Sequence, residues 1–258
     1  MATIAASAVH SGTRRFFYFY MATAIAVFAF GAFAPTYWLQ LPAGTFVGTP
    51  LVHIHAALFT AWTALLISQT WLIAHRQHAH HRAWGLAGIA LASAMVVIGL
   101  ATAIQGLNLR LGTPEAAAGR IFFIVPVTAI LLFAGFFAAA IANISRPETH
   151  KRYIMVATVA LLQAAVGRIG FMLTAGIGPG LRPGMRPPAP LAAIVLPHII
   201  LEIFLVAGMI YDWRQRGRPH PAWLIGAAIM TISILLRAPI AQTAAWQNFA
   251  EWSAHIAG

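Results

Sequence analysis

The chain of 258 residues has no cysteine, a single lysine (Lys151) and only five acidic residues. Without cysteine there are no thiolate metal centres, Fe–S clusters, disulfides or cysteine nucleophiles. The one lysine falls at a loop edge, which excludes a retinal pigment, whose Schiff base needs a buried amine. Charged residues make up 8% of the chain, where a soluble domain carries about 25%. A net charge of +11 therefore does not read as nucleic-acid binding, because too few charges exist to build a basic polar face. Gly-x-Ser-x-Gly, His-Glu-x-x-His and phosphate-loop motifs are missing. The zinc pattern of seven-helix lipid hydrolases is not matched either, and a haem–copper oxidase would need far more spans.

What remains is apolar: 60% hydrophobic residues and a mean hydropathy of +0.78. Apolar runs bounded by Pro, Gly or charge fall at 16–38, 51–74, 84–106, 120–143, 153–175, 190–211 and 222–247. Each is long enough to cross a bilayer core of about 30 Å at about 1.5 Å per residue. The expectation is an all-α, polytopic membrane bundle of about seven spans forming one domain over 1–258. The first span reads as an anchor rather than a cleaved signal, since it exceeds an ordinary signal core and Pro35 follows Ala34. The Gly- and Pro-rich stretch 176–189 reads as an irregular loop.

Charge sets the expected orientation. Ten of the sixteen Lys and Arg residues fall on one side of these spans. Arg110, Arg120, Arg182 and Arg186 fall on the other, and Arg168 and Arg237 lie inside spans. The positive-inside rule then puts the N-terminus in the cytoplasm and the C-terminus outside.

Intramembrane ionisable groups are costly and mark candidate sites. Counted along their helices, Arg168 and Arg237 lie roughly 22–24 Å above the cytoplasmic boundary, His55 near 23 Å and His198 near 18 Å. Glu202 follows His198 one turn deeper. His198 and Glu202, spaced i,i+4, share a helix face, as two ligands or a proton-relay pair would. His55, Trp62 and Gln69 form one stripe, whereas His53 and His55 point to different sides. Imidazole with carboxylate suits Zn, Fe or Mn. Glu202 could equally neutralise Arg168 or Arg237, with His198 a packed hydrogen-bonding residue.

A second set lies toward the cytoplasmic side. Three spans open alike, with His81–Trp84, His150–Tyr153 and His220–Trp223. Three convergent imidazoles could hold Zn with an open position, or pair as axial ligands of a b-type haem. They are also ordinary headgroup-level residues, and His75, His78 and His80 read as a solvated basic loop.

Several stretches carry a resemblance. They are Val52–Trp62 (VHIHAALFTAW), Gln69, His81-Arg82 with Gly85, and Pro147-Glu-Thr-His-Lys-Arg152, followed by Tyr211-Asp212, Arg216-Gly-Arg-Pro-His-Pro221 and Arg237. Over roughly residues 48–252 the chain resembles a family of bacterial multi-span membrane proteins of unknown function. That family in turn is distantly similar to the cytochrome b561 and ferric-reductase group, whose facing helices hold haem near both membrane faces. The resemblance implies that His55, His81, His150 and His220 are the family-type histidines, with Glu202 as the acid. His198, His78 and His80 fall outside the pattern.

Three functions follow as expectations. One is a membrane oxidoreductase or electron-transfer protein with b-type haem or a transition metal (Zn or Fe) and a quinone-like partner. Its candidate ligands are His55, His198 and Glu202 in one layer and His81, His150 and His220 in the other. Another is an accessory subunit packing against a larger membrane complex through small residues such as Gly85, Gly88, Ala92 and Gly99. The last is a proton-coupled small-molecule carrier using His198, Glu202, Arg168 and Arg237.

Overall fold

In the computed structural model all regular structure among the described residues is helical. The structure describes residues 2–181 and 188–256, with side chains for 15–181 and 188–255. Arg182 and Arg186, counted above on the sparsely charged side, lie outside the described residues, as do all of 182–187 in the stretch expected to be a loop at 176–189; its described residues carry no helix.

Among the described residues, seven helical segments are long and apolar enough to cross a membrane. The first is α1 (Ala2–Phe33), which runs into a 3-10 turn at Ala34–Thr36 where Pro35 ends the helical ladder. Pro50 opens α2 (Pro50–Ala74), and α3 (His78–Leu111) is the longest at 34 residues. The expected loop at His78 and His80 is instead the first turn of α3, with both side chains exposed.

The next three spans are each broken. Span four is α4 (Ala116–Phe122) and α5 (Ile124–Ala142), divided at Phe123. Pro126 lacks the N–H that would bond the Phe122 carbonyl, which locates the break. Span five is α6 (Pro147–Leu161) and α7 (Gln163–Ala175), divided at Leu162 by a tight turn that bonds to Val159. Span six is α8 (Leu191–Ile200) and α9 (Ile203–Arg216), divided just past Pro197 at Leu201 and Glu202. Span seven, α10 (Pro221–Ala241), ends six residues before the expected position 247. A turn at Gln242 and Thr243 separates it from a short helix, α11 (Ala244–Ile256), whose first turn Thr243 caps by accepting the Trp246 N–H.

The helices pack in a bundle in which α5 lies along α6, α2 along α1 and α3, and α10 against α6, α8 and α9. The main core joins Trp62, Met95, Phe133, Met155, Val156, Leu205, Trp223 and Met230. Small residues permit the close approaches. A Cβ on Gly226 would come within 2.7 Å of Val156, and one on Gly208 within 2.5 Å of Trp223. The outward faces carry exposed Leu86, Val97, Leu131, Ile203, Ile232 and Leu235, as a surface solvated by lipid requires.

Candidate functional site

Arg237, on α10, is 2% exposed and has no carboxylate partner among the described residues. Its Nε donates to Thr128 Oγ1 on α5 (2.8 Å), one Nη to Gln163 Oε1 on α7 (2.5 Å) and the other to His198 Nδ1 on α8 (3.0 Å). The planar guanidinium thus ties three helices through neutral acceptors. Because guanidinium can only donate, His198 Nδ1 must accept, so that ring is neutral with its hydrogen on Nε2. With one nitrogen in use and the other protonated, His198 offers no free lone pair to a metal.

Glu202 does not neutralise either arginine. It accepts the Thr231 hydroxyl (2.8 Å), so His198 and Glu202 both face α10 but engage different residues of it. The expected single layer is two places. His198, Glu202 and Arg237 gather around α10, whereas His55 and Arg168 lie on the wall of a separate cavity.

That cavity, about 390 Å³, opens among α1, α2, α3, α4, α5, α6 and α7. Its walls are mostly apolar, including Ile25, Phe33, Phe59, Trp62, Phe122 and Ile130. Three polar side chains on it lack partners at some or all of their groups. Arg168 makes no ion pair or hydrogen bond among the described residues; its guanidinium lies 5.0 Å from the Phe33 ring centroid. Arg110 donates from one Nη to the Gly106 carbonyl (2.8 Å), but its buried Nε is unbonded. His55 stacks on Phe59 with centroids 4.1 Å apart, and its buried Nδ1 also has no partner. His53 turns the other way and meets the Tyr37 hydroxyl (2.9 Å), as the i,i+2 spacing requires.

The opposite end of the bundle is held by an ion-pair network. Arg152 at 1% exposure and Asp212 at 0% form a two-pronged pair between α6 and α9, with Nε 2.8 Å from Oδ2. Glu148 joins Arg152 (2.8 Å), Lys151 (2.6 Å) and Arg216 (3.3 Å). Asp212 also accepts the His220 backbone N–H (3.1 Å). The signal available was Pro147-Glu-Thr-His-Lys-Arg152 and Tyr211-Asp212, where three of the few charges outside the apolar cores recur beside one another. Read by location alone, Arg152 was simply an orienting cation.

The other three histidines are also at this end but not in one ligand set. His150 Nδ1 donates to the Ala140 carbonyl (2.9 Å), leaving Nε2 free. His81 lies close enough to His150 for their charges to interact, and its buried Nδ1 is unbonded. His220 instead caps α10, its Nδ1 accepting the Ala222 N–H (3.1 Å). Burial first, and then the Arg152 and Arg216 guanidiniums, hold the His220 pKa below the ordinary imidazole value. Among the described residues no group of three or more His, Asp or Glu side chains is arranged to hold a metal ion. Tyr18 Oη, the Gln69 amide and Trp223 Nε1 are further buried groups without partners.

No protein-family model, curated protein or solved structure matches the chain.

Proposed function

We propose that this chain is a membrane-embedded carrier that takes an amphipathic small molecule into the bundle from the lipid. The observation that carries the proposal is Arg168, a cation without an anionic partner among the described residues, on the wall of an apolar cavity. A guanidinium withdrawn from water without a counter-charge costs several kcal/mol, a cost that a ligand supplying acceptor oxygens would offset. The volume lies within the roughly 300–1,000 Å³ typical of small-molecule pockets, and mostly apolar walls with a few converging polar groups are typical too. Breaks in spans four, five and six fit a carrier, since irregular backbone at membrane depth is tolerated where it lines protein or a cavity. The accessory-subunit alternative has less support, because Gly88 and Gly99 already pack against Leu65 and Ile130 within the chain.

A thermal-stability screen of the purified protein tests the proposal with a short-chain ubiquinone, an alkyl carboxylate and an alkyl amine of equal length. A rise in Tm with the quinone or the carboxylate but not with the amine is expected. No rise with any of them, or an equal rise with the amine, contradicts it.

A second reading, a histidine-held b-type haem or transition metal, is favoured by His150 alone. An imidazole donating Nδ1–H to a backbone carbonyl with Nε2 free has the orientation of a ligating histidine. His81, which lies close enough to His150 for their charges to interact, is its candidate companion, while among the described residues His55 is the one histidine on the cavity wall. A haem bound there would supply one-electron chemistry. An absorption spectrum of the purified protein decides: a Soret band that disappears in His150→Ala supports this reading, and its absence in the intact protein excludes haem.

A further inference from the structure

We propose that the cavity is specific for a single-chain amphiphile with an oxyanion head, carboxylate or phosphate, held at Arg168 and Arg110 with its alkyl tail directed toward Trp62. This presupposes the cavity binding proposed above and names the class of ligand. Two arginines, not one, line the same cavity, and neither meets a carboxylate among the described residues. All five acids have other roles. Glu148 and Asp212 lie in the network at the far end, and Glu202 is bonded to Thr231. Glu251 faces Arg120, and Glu115 meets Thr113. The cavity thus presents two positive charges with no internal counter-charge, an excess that a neutral ligand would leave in place.

The details favour an oxyanion over a lone acceptor. Arg110 keeps its buried Nε unbonded, and guanidinium matches the planar geometry of carboxylate and phosphate oxygens. Its stem is held against α4 because residue 119 is glycine. A Cβ there would lie 3.0 Å from Arg110 Cβ and 3.1 Å from its Cδ. The His55 Nδ1 is an additional unbonded polar atom on the same wall. Away from these groups the wall is mostly aliphatic and aromatic, with the side chains of Thr60, Thr63, Thr102, Gln105 and Thr158 among it. His55 and Trp62 are two turns apart on α2, a rise of about 10 Å, so the wall runs from the polar groups to Trp62.

Bromine quenching of tryptophan reads both halves of the proposal. The full chain is placed in phosphatidylcholine nanodiscs and titrated with 12-bromododecanoate, 12-bromododecyl phosphate and 12-bromododecanol. Saturable quenching is taken as the difference between the unaltered protein and Trp62→Phe. The expected result is saturable quenching by the carboxylate or the phosphate, whichever head the site prefers, and none by the alcohol. Arg168→Gln and Arg110→Gln should each weaken it about tenfold or more, while Arg120→Gln, at an arginine off the cavity, leaves it unchanged. Equal saturation by the alcohol overturns the oxyanion specificity but leaves the binding cavity standing. No saturable quenching by any of the three overturns both. The comparison among ligands uses the unaltered protein and Trp62→Phe and no arginine variant, so it decides even if an arginine variant fails to fold.

Discussion

At the scale of single residues, the molecule distinguishes between charges that are matched and charges that are not. Arg152 and Asp212 are both fully buried and satisfy each other, while Glu148 and the His220 backbone N–H engage their remaining groups. Removing one partner of such a pair strands the other, a loss of about 3–5 kcal/mol, whereas replacing both by apolar residues of similar size costs much less. Asp212→Ala should therefore lower Tm sharply, and Arg152→Met combined with Asp212→Leu should recover most of the loss. A double variant no more stable than Asp212→Ala would show that the pair does not act as a unit. Arg237 is satisfied in another way, by three neutral acceptors. Among the described arginines, Arg168 and Arg110 are the two that line the cavity, and neither has a carboxylate partner.

Much of this was readable in outline only. That Arg168, Arg237, His198 and Glu202 matter follows from the expense of polar groups in hydrocarbon, and all four lie at buried or cavity-lining positions. Their partners were not legible. Pairing by equal depth put His55, Arg168, His198 and Arg237 together, but depth along a helix says nothing of which way each helix is turned. Thr128, Gln163 and Thr231 went unnoticed because a neutral residue in an apolar run gives no signal until its partner is known. Arg110 was counted as a loop cation because its place just past the expected end of span three hid the extra turn of α3.

At the scale of elements, the sequence locates the spans well because a bilayer demands about 20 apolar residues in each. It locates their interruptions poorly. Pro126 and Pro197 mark two breaks, but the turn at Leu162 has no proline near it. The start of α10 shows local chemistry placing an element accurately. Pro219 and Pro221 flank His220, whose backbone is extended and whose ring caps the helix while its own N–H meets Asp212. Gly217, at φ +72°, ends α9 in a left-handed turn that leaves room for this arrangement.

The cap has a pH dependence with a definite sign. A neutral His220 ring can accept the Ala222 N–H; a protonated ring cannot. Since its folded pKa is lowered, chiefly by burial, the unfolded chain takes up the proton first as pH falls below about 6.5. Stability from the cap is thus present above about pH 6.5 and lost as the solution is acidified through the lower, folded value. At pH 8, His220→Ala should cost about 1 kcal/mol, while His220→Asn, which retains a capping acceptor, should cost little. Thermal melts from pH 8 to pH 5 check this. The asparagine variant should lose less stability than the unaltered protein, and parallel losses would contradict the assignment.

At the scale of the whole molecule, the +11 net charge resolves into three populations. Most cations sit at the ends of the bundle, where Arg152, Lys151 and Arg216 share two acids. One is internal and neutrally bonded, and two line a cavity without a counter-ion. The bundle is tightly tied at the network end, by ion pairs between α6 and α9 and by the His220 N–H, at the start of α10, donating to Asp212. It is hollow toward the other end, where α1, α2, α3 and α4 surround the cavity. Such an asymmetry suits a container with one closed end.

The absence of cysteine allows the central claim, an internal cavity that takes an amphiphile, to be tested without background. A single cysteine introduced as Thr60→Cys lies on the cavity wall, and one introduced as Ser68→Cys lies on an exposed part of the same helix. Labelling of both by a small membrane-permeant maleimide is followed in nanodiscs with and without dodecanoate and a short-chain ubiquinone. The account predicts that at least one of these ligands slows labelling of Thr60→Cys several-fold and leaves Ser68→Cys unaffected. Equal labelling of Thr60→Cys with and without both ligands, or equal slowing at the two positions, would contradict it.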